Sequence, residues 1–373
     1  MNIKELAVVK EIRRRKWMRL SKAFMFDAGT VSKLEETPEK IEQALKQQCE
    51  RWPRQTTDFL NKFEICFDRS NQDYEKVKTD ALFCYFAYGF SANEYFCYQL
   101  GKKSVVDRKA FLSERDSVYI GYRYNDMMDM EYFNDKTTTY QMLKSYYKRD
   151  LISVKSDDDR EKFDSFVVRH PVFVKKTNYQ ACGRGVEKID AASYQSTDEL
   201  FDALRKEGNV ILEELIQQDQ SMAVFNHSSV NTVRVITINT SRGICCPFTF
   251  FKVGRKNAFV DNGGAGGILV GIDAETGVMN TDGVDERNNR YGVHPDSGVE
   301  FQGYCLKDWD TMLEQCREMS KLFPRVRVIG WDLAYTSKGW VVVEGNAMTE
   351  VIGPQATTCC GIRDEMTKLL EAE

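Results

Sequence analysis

Histidine is nearly absent from this 373-residue chain; the three present, His170, His227 and His294, stand far apart. Its eleven cysteines are odd in number, never fall in C-x-x-C spacing, and include two adjacent pairs, Cys245-Cys246 and Cys359-Cys360, that can hardly bridge each other. Neither a zinc site nor a disulfide framework is indicated, and a reducing, cytoplasmic compartment is expected. No apolar run approaches the roughly 18 residues of a membrane span, and the N-terminus lacks a signal-peptide core. A basic excess is missing too. The net charge of −4 leaves no electrostatic footprint for nucleic acid, which is not expected as a partner. Internal repeats and low-complexity segments are also absent.

What is present is ample material for a core, 42% apolar residues in a length suited to two or three domains. Residues 1–26 combine Arg13-Arg14-Arg15-Lys16, Arg19 and Lys22 with Trp17, Met18, Leu20, Phe24 and Phe26. As a helix this stretch suits either a solvated segment docked on the body or a weak peripheral contact with an anionic membrane. From 38 to about 100 the spacing is helical, and 74–100 carries a dense aromatic set read as core. After Asn134 or Asp135, either a plausible N-cap, a helical run holds Tyr140, Leu143, Tyr146 and Tyr147. Further on, 166–175 reads as a strand broken by Pro171, 198–205 as a helix and 210–216 as a buried strand. The last third is rich in strands (230–239, 246–253, 267–272), with helices at 307–322 and 363–370. The expected organisation is a helical N-terminal extension, 1–120, a middle segment ending in a lid lobe, 121–212, and a hinge with a C-terminal lobe, 213–373. The class is α+β.

Residues 328–336 and 340–346 read as a hairpin, with Ser337-Lys338-Gly339 as its turn and glycine where a left-handed residue is needed. In that register Asp332 opposes Glu344, and Asn346 shares their face because side chains alternate with period two. Trp331, Leu333, Val341 and Val343 then form the apolar face. Converging carboxylates repel each other, and an all-oxygen set without His or Cys points to Mg²⁺ or Mn²⁺ as the partner.

Five other stretches accompany the hairpin: Asn134-Asp-Lys136; Val172-Phe-Val-Lys-Lys with Cys182-Gly-Arg-Gly-Val186; Ile211-Leu-Glu-Glu-Leu-Ile216; Ser228-Ser-Val-Asn-Thr-Val-Arg234; and Phe259-Val-Asp-Asn-Gly-Gly-Ala-Gly-Gly-Ile268. Taken in order, roughly over 130–352, they resemble the ATP-grasp superfamily, and most of all its sugar-transfer-associated branch. That resemblance implies two α+β lobes closing on ATP. It implies that Lys136 and Lys175 contact phosphate, although Lys176 follows where relatives often have proline and either lysine could serve. Gly183 and Gly185 would belong to the lid loop, and the glycine run at 263–267 would line the acceptor side. Glu213, Glu214, Leu215 and Ile216 would form the hinge that reads adenine, with Asp219 or Gln220 near the ribose. Arg234 would face the transferred phosphoryl group, and Asp332, Glu344 and Asn346 would hold Mg²⁺. The implied activity is an ATP-dependent ligase joining a small-molecule carboxylate to an amine through an acylphosphate, in surface-glycan or amino-sugar metabolism. A small-molecule kinase of the same fold and a non-catalytic ATP-binding regulator are the alternatives.

Overall fold

The computed structural model describes residues 3–178 and 185–371, with side chains from Val8 onward apart from Ala265. Helices dominate up to Tyr147, and two antiparallel sheets follow. The smaller sheet has the order β1 (Leu151–Val154), β4 (Val210–Glu214), β2 (Val172–Thr177), β3 (Glu187–Asp190). The larger adds β5 (Thr232–Thr240), β6 (Gly243–Val253), β7 (Ile268–Gly271), β8 (Gly283–Val284), β9 (Arg290–Tyr291), β10 (Val328–Thr336) and β11 (Gly339–Asn346), in the order β11-β10-β5-β6-β7-β8-β9. Among the described residues, no helix is long and apolar enough to cross a membrane.

Each sheet is amphipathic, which decides where its charges go. In the smaller one Phe173, Val210 and Leu212 pack under helices Arg160–Arg169 and Thr197–Lys206, around Phe163, Phe166, Leu200 and Phe201. Phe166 is therefore helical, not the start of a strand; its helix ends at Arg169, just ahead of Pro171, because proline restricts the residue before it to extended backbone. In the larger sheet Val233, Val235, Phe251, Trp331 and Leu333 face helix Trp309–Lys321, whose Met312, Leu313, Cys316 and Met319 are buried on them. The opposite face, carrying Arg234 and Asp332, borders the cleft.

The N-terminal helices have their own aromatic core, in which Phe63, Phe83, Phe86, Phe90, Tyr95 and Tyr98 are buried. It fuses with the larger lobe: Val284 and Ala356 belong to the same apolar cluster, and buried Gln355 bonds the Leu112 backbone at both N–H and C=O. The first helix, Ile3–Leu20, lies on this body, with Trp17 edge-on to Tyr122 and the Arg14 guanidinium on the Tyr122 carbonyl at 2.7 Å.

Candidate functional site

Asp332 and Glu344 are direct cross-strand partners, as the hairpin register requires. The turn has Thr336 paired with Gly339, whose φ of +78° is the left-handed conformation glycine allows. One detail differs. The ladder slips by one residue after Asp332, so that Leu333 faces Val342 and Val343 is the extra residue of a bulge. Everything on the turn side of the bulge changes face, so the buried partner of Leu333 is Val342 and not Val341 or Val343. Gly345 stands opposite Trp331, and a Cβ there would lie 2.6 Å from the indole ring, so the glycine admits the tryptophan.

Asp332 is 2% exposed and both its oxygens are engaged. Arg234, paired with it across β5 and β10, donates from Nε at 2.6 Å and from Nη2 at 2.7 Å, and Lys252 donates from Nζ at 3.1 Å. Burial alone would raise this carboxyl's pKa; the charges of Arg234 and Lys252 outweigh it and hold the group far below the usual carboxylate range. Buried Asp261, 3.8 Å from Lys252 and accepting from the Thr232 hydroxyl at 2.5 Å, is pushed upward by burial against the pull of Lys252. Glu344 accepts from Asn346 Nδ2 at 3.3 Å, which leaves the Asn346 carbonyl oxygen available as a donor to a cation. Asp332, Glu344 and Asn346 thus share one face of the hairpin, where Asp332 serves Arg234 and Lys252.

Across the cleft, alternation along β2 separates its two lysines. Lys175 shares the Phe173 face and is buried there, bonding Glu207 at 2.6 and 2.7 Å and Glu187 at 3.0 Å. The structure therefore does not bring Lys175, expected at the phosphates, into the cleft. Lys176 takes the inner face and bonds Glu213 Oε1 at 3.0 Å. Arg149 donates to the other Glu213 oxygen at 2.9 Å and to the Val342 carbonyl at 2.5 Å, tying the smaller sheet to the hairpin. Burial opposes ionisation of Glu213, yet Lys176 and Arg149 bring its pKa down to about 2. Lys136 opens its helix just after the cap Asp135 and reaches the Asn178 carbonyl at 3.1 Å. Burial lowers its pKa, Glu344 opposes that, and Lys176 adds to it.

A cleft of about 750 Å³ is lined at one end by Lys136, Tyr147, Arg234, Lys252, Glu344 and Asn346, while Asp332, Lys176, Glu213 and Arg149 stand behind that lining. Asn262, Gly263, Gly264 and Gly267 line it further along, beside Glu286, Glu350 and, from the N-terminal helices, Asn93 and Cys97. Gly267 is obligatory, since a Cβ would lie 2.2 Å from the Asp261 carbonyl oxygen. Gly185 has φ +70°, whereas Gly183 lies outside the described residues. Residues 215–217, within the expected hinge, belong to neither sheet and connect β4 to the bridge between Gln218 and Thr336. Glu214, Leu215 and Ile216 are not among the described residues lining this cleft. Asp219 caps the short helix after the hinge, accepting from Ser221 and from Lys307, while Gln220 is exposed.

Sequence reasoning missed Lys252, Asp261 and Arg149. The signal for Lys252 was available: a single lysine in the otherwise apolar run Phe248-Thr-Phe-Phe-Lys-Val253. Nothing local marks Arg149 or Asp261, because their partners lie 64 and 29 positions away.

The sequence matches the family model described as sugar-transfer associated ATP-grasp over residues 114–370, and the chain belongs to that family. No curated protein matches it. Among solved structures it is similar to the ATP-grasp ligase PsnB complexed with minimal precursor, at 15% identity and TM-score 0.42, covering 66% of this chain and 62% of that one. It is also similar to the D-alanine-D-alanine ligase from Coxiella burnetii, at 9% identity and TM-score 0.41, covering 66% of this chain and 59% of the ligase. A third is the ADP-bound N5-carboxyaminoimidazole synthetase from Staphylococcus aureus, at 11% and 0.43, covering 71% and 59%. The chain thus spans about three fifths of these ligases' length. With TM-scores this low, the family assignment rests on the sequence match.

Proposed function

We propose that this protein is an ATP-dependent carboxylate–amine ligase working through an acylphosphate. The observation that carries the reading is the convergence, at one end of a single cleft, of Arg234 and Lys252 on Asp332 with Glu344, Asn346 and Lys136 around them. Such a set matches the needs of phosphoryl transfer, in which positioning and charge neutralisation do most of the catalysis. Glu344 and Asn346 offer hard oxygen donors beside Asp332, so Mg²⁺, or Mn²⁺ in its place, fits this site. When bound, the ion supplies charge neutralisation to phosphate oxygens.

The chain's own groups divide the remaining work. Lys136 and Lys176 hold phosphate oxygens from the lid side, with Lys176 in the role that spacing alone also allowed to Lys175. Arg234 and Lys252 turn part of their hydrogen bonding from Asp332 to the γ-phosphoryl group as its charge develops. The 215–217 connection, with Glu214, serves the adenine edge through its backbone. A substrate carboxylate attacks the γ-phosphorus and ADP leaves; an amine then attacks the acyl carbon and phosphate leaves, giving an amide. The glycine loop near Gly263 lines the acceptor end, and lobe closure shields the acylphosphate from water. The family's description motivates a glycan or amino-sugar precursor as acceptor, and a cytoplasmic setting suits ten described cysteines that are all unbridged.

The fate of the γ-phosphate tests this reading. Incubation of γ-labelled ATP and Mg²⁺ with fractionated metabolite extract should release phosphate one-for-one with ADP, together with a product of mass acid plus amine minus water. Label retained on a small molecule would mean a kinase, and no ADP at all a nucleotide-binding regulator.

A further inference from the structure

The first helix, Ile3–Leu20, has two different sides. Its inner side is committed to the body: Lys10 pairs with Glu131 at 2.5 Å, Arg14 holds the Tyr122 carbonyl, and Trp17 packs on the Tyr122 ring. From Val8 to Leu20 the exposed positions are Val8, Ile12, Arg13, Arg15, Lys16, Arg19 and Leu20. At 100° per residue these occupy one continuous face of the helix. Val8, Ile12 and Leu20 are 58, 59 and 49% exposed and are spread across this face, with Lys16 and Arg19 set between them. The single acid of the stretch, Glu11, is half-buried and turned toward Arg14 and Arg15. Arg13, Lys16 and Arg19 have no acidic partner among the described residues.

A helix docked only for stability presents water with mixed charges, often paired at i and i+4. This one presents aliphatic side chains flanked by cations, with no exposed acid between Val8 and Leu20. An anionic lipid surface is complementary to both components, since headgroup charge attracts the guanidinium and ammonium groups while the interspersed aliphatic side chains enter the boundary above the acyl chains. The face is too sparsely apolar to hold on a neutral bilayer. We propose that this helix is a peripheral membrane anchor, selective for anionic lipid, which holds the catalytic body at a membrane surface through its firmly docked inner side. The anchor is independent of the ligase reading, because none of its residues lines the cleft.

Co-sedimentation of the full chain with vesicles decides it. Vesicles of phosphatidylcholine with a quarter phosphatidylserine should bind the protein at physiological ionic strength, and pure phosphatidylcholine should not. The triple variant Arg13→Glu, Lys16→Glu, Arg19→Glu should lower the partition coefficient by about tenfold or more, and Ile12→Ser should lower it severalfold. Unchanged melting temperature and ATP response in both variants would show that the body remains folded. The proposal is overturned if the wild type ignores anionic vesicles, if it binds neutral ones equally well, if the triple variant binds like the wild type, or if a short DNA duplex competes the protein off the vesicles.

Discussion

In the larger lobe two cations, Arg234 and Lys252, meet two buried acids, Asp332 and Asp261; across the cleft Lys176 and Arg149 share one buried acid, Glu213, with Lys136 close by. The first cluster is closed and balanced, whereas in the second Lys136 also feels the charges of Glu344 and Asp135. Burying charge is costly unless it is paired, and each cluster meets that need with opposite charges from positions far apart in the chain. On the proposed reading Lys136 and Lys176 would take phosphate from the lid side, and the larger lobe would contribute by exchanging bonds that Arg234 and Lys252 already make. Arg149 links the two sides, touching both Glu213 and the hairpin carbonyl of Val342.

The largest expected effect strikes the balanced cluster. Asp332→Leu leaves two buried cations facing each other and should cost about 3–5 kcal/mol in urea unfolding, and adding Lys252→Met should recover part of it. No recovery would mean that the cluster is not one electrostatic unit.

Acid should separate the clusters. The Glu213 pKa is depressed from 4.5 to about 2, so its stabilisation is complete above about pH 4.5 and is lost as pH falls through 2, on the order of 3 kcal/mol. Asp332 lies lower still, so in that window hydrogen exchange should rise in β1 and β4 before β5 and β10. Simultaneous loss would erase the distinction between the lobes.

The two adjacent lysines give a sharper contrast. Lys176→Ala should weaken ATP binding about tenfold, near 1.4 kcal/mol by calorimetry, while Lys175→Ala should leave affinity within about twofold. Equal losses would undo the assignment of faces along β2. Arg234→Lys and Glu344→Gln should each slow turnover about tenfold or more with less effect on ATP affinity, the first because the planar fork is lost and the second because a charge is. The smallest effect is expected from Gly185→Ala in the lid, about 1 kcal/mol for a left-handed backbone, against about 1–3 kcal/mol for Gly267→Ala, where a methyl meets the Asp261 carbonyl.

Much of this was legible before any coordinates. The α+β class, the helical extension, the hairpin with Asp332 opposite Glu344, the Asp135 cap before Lys136 and the outward turn of Arg234 from Val233 and Val235 all follow from period, cap and turn chemistry within a few residues. The bulge at Val343 was not legible, since a one-residue slip leaves the apolar pattern of Trp340-Val-Val-Val intact while changing which valine meets Leu333. Nor was the choice between Lys175 and Lys176: period two says only that they face opposite ways, and which way is inward depends on the helices that cover Phe173. By itself the sequence determined the family, the elements and the kinds of charge carried along the cleft strands. Tertiary structure decided which charges meet, because Arg234, Lys252 and Asp332, or Arg149, Lys176 and Glu213, become neighbours only when strands far apart in the chain are laid side by side and their water is removed.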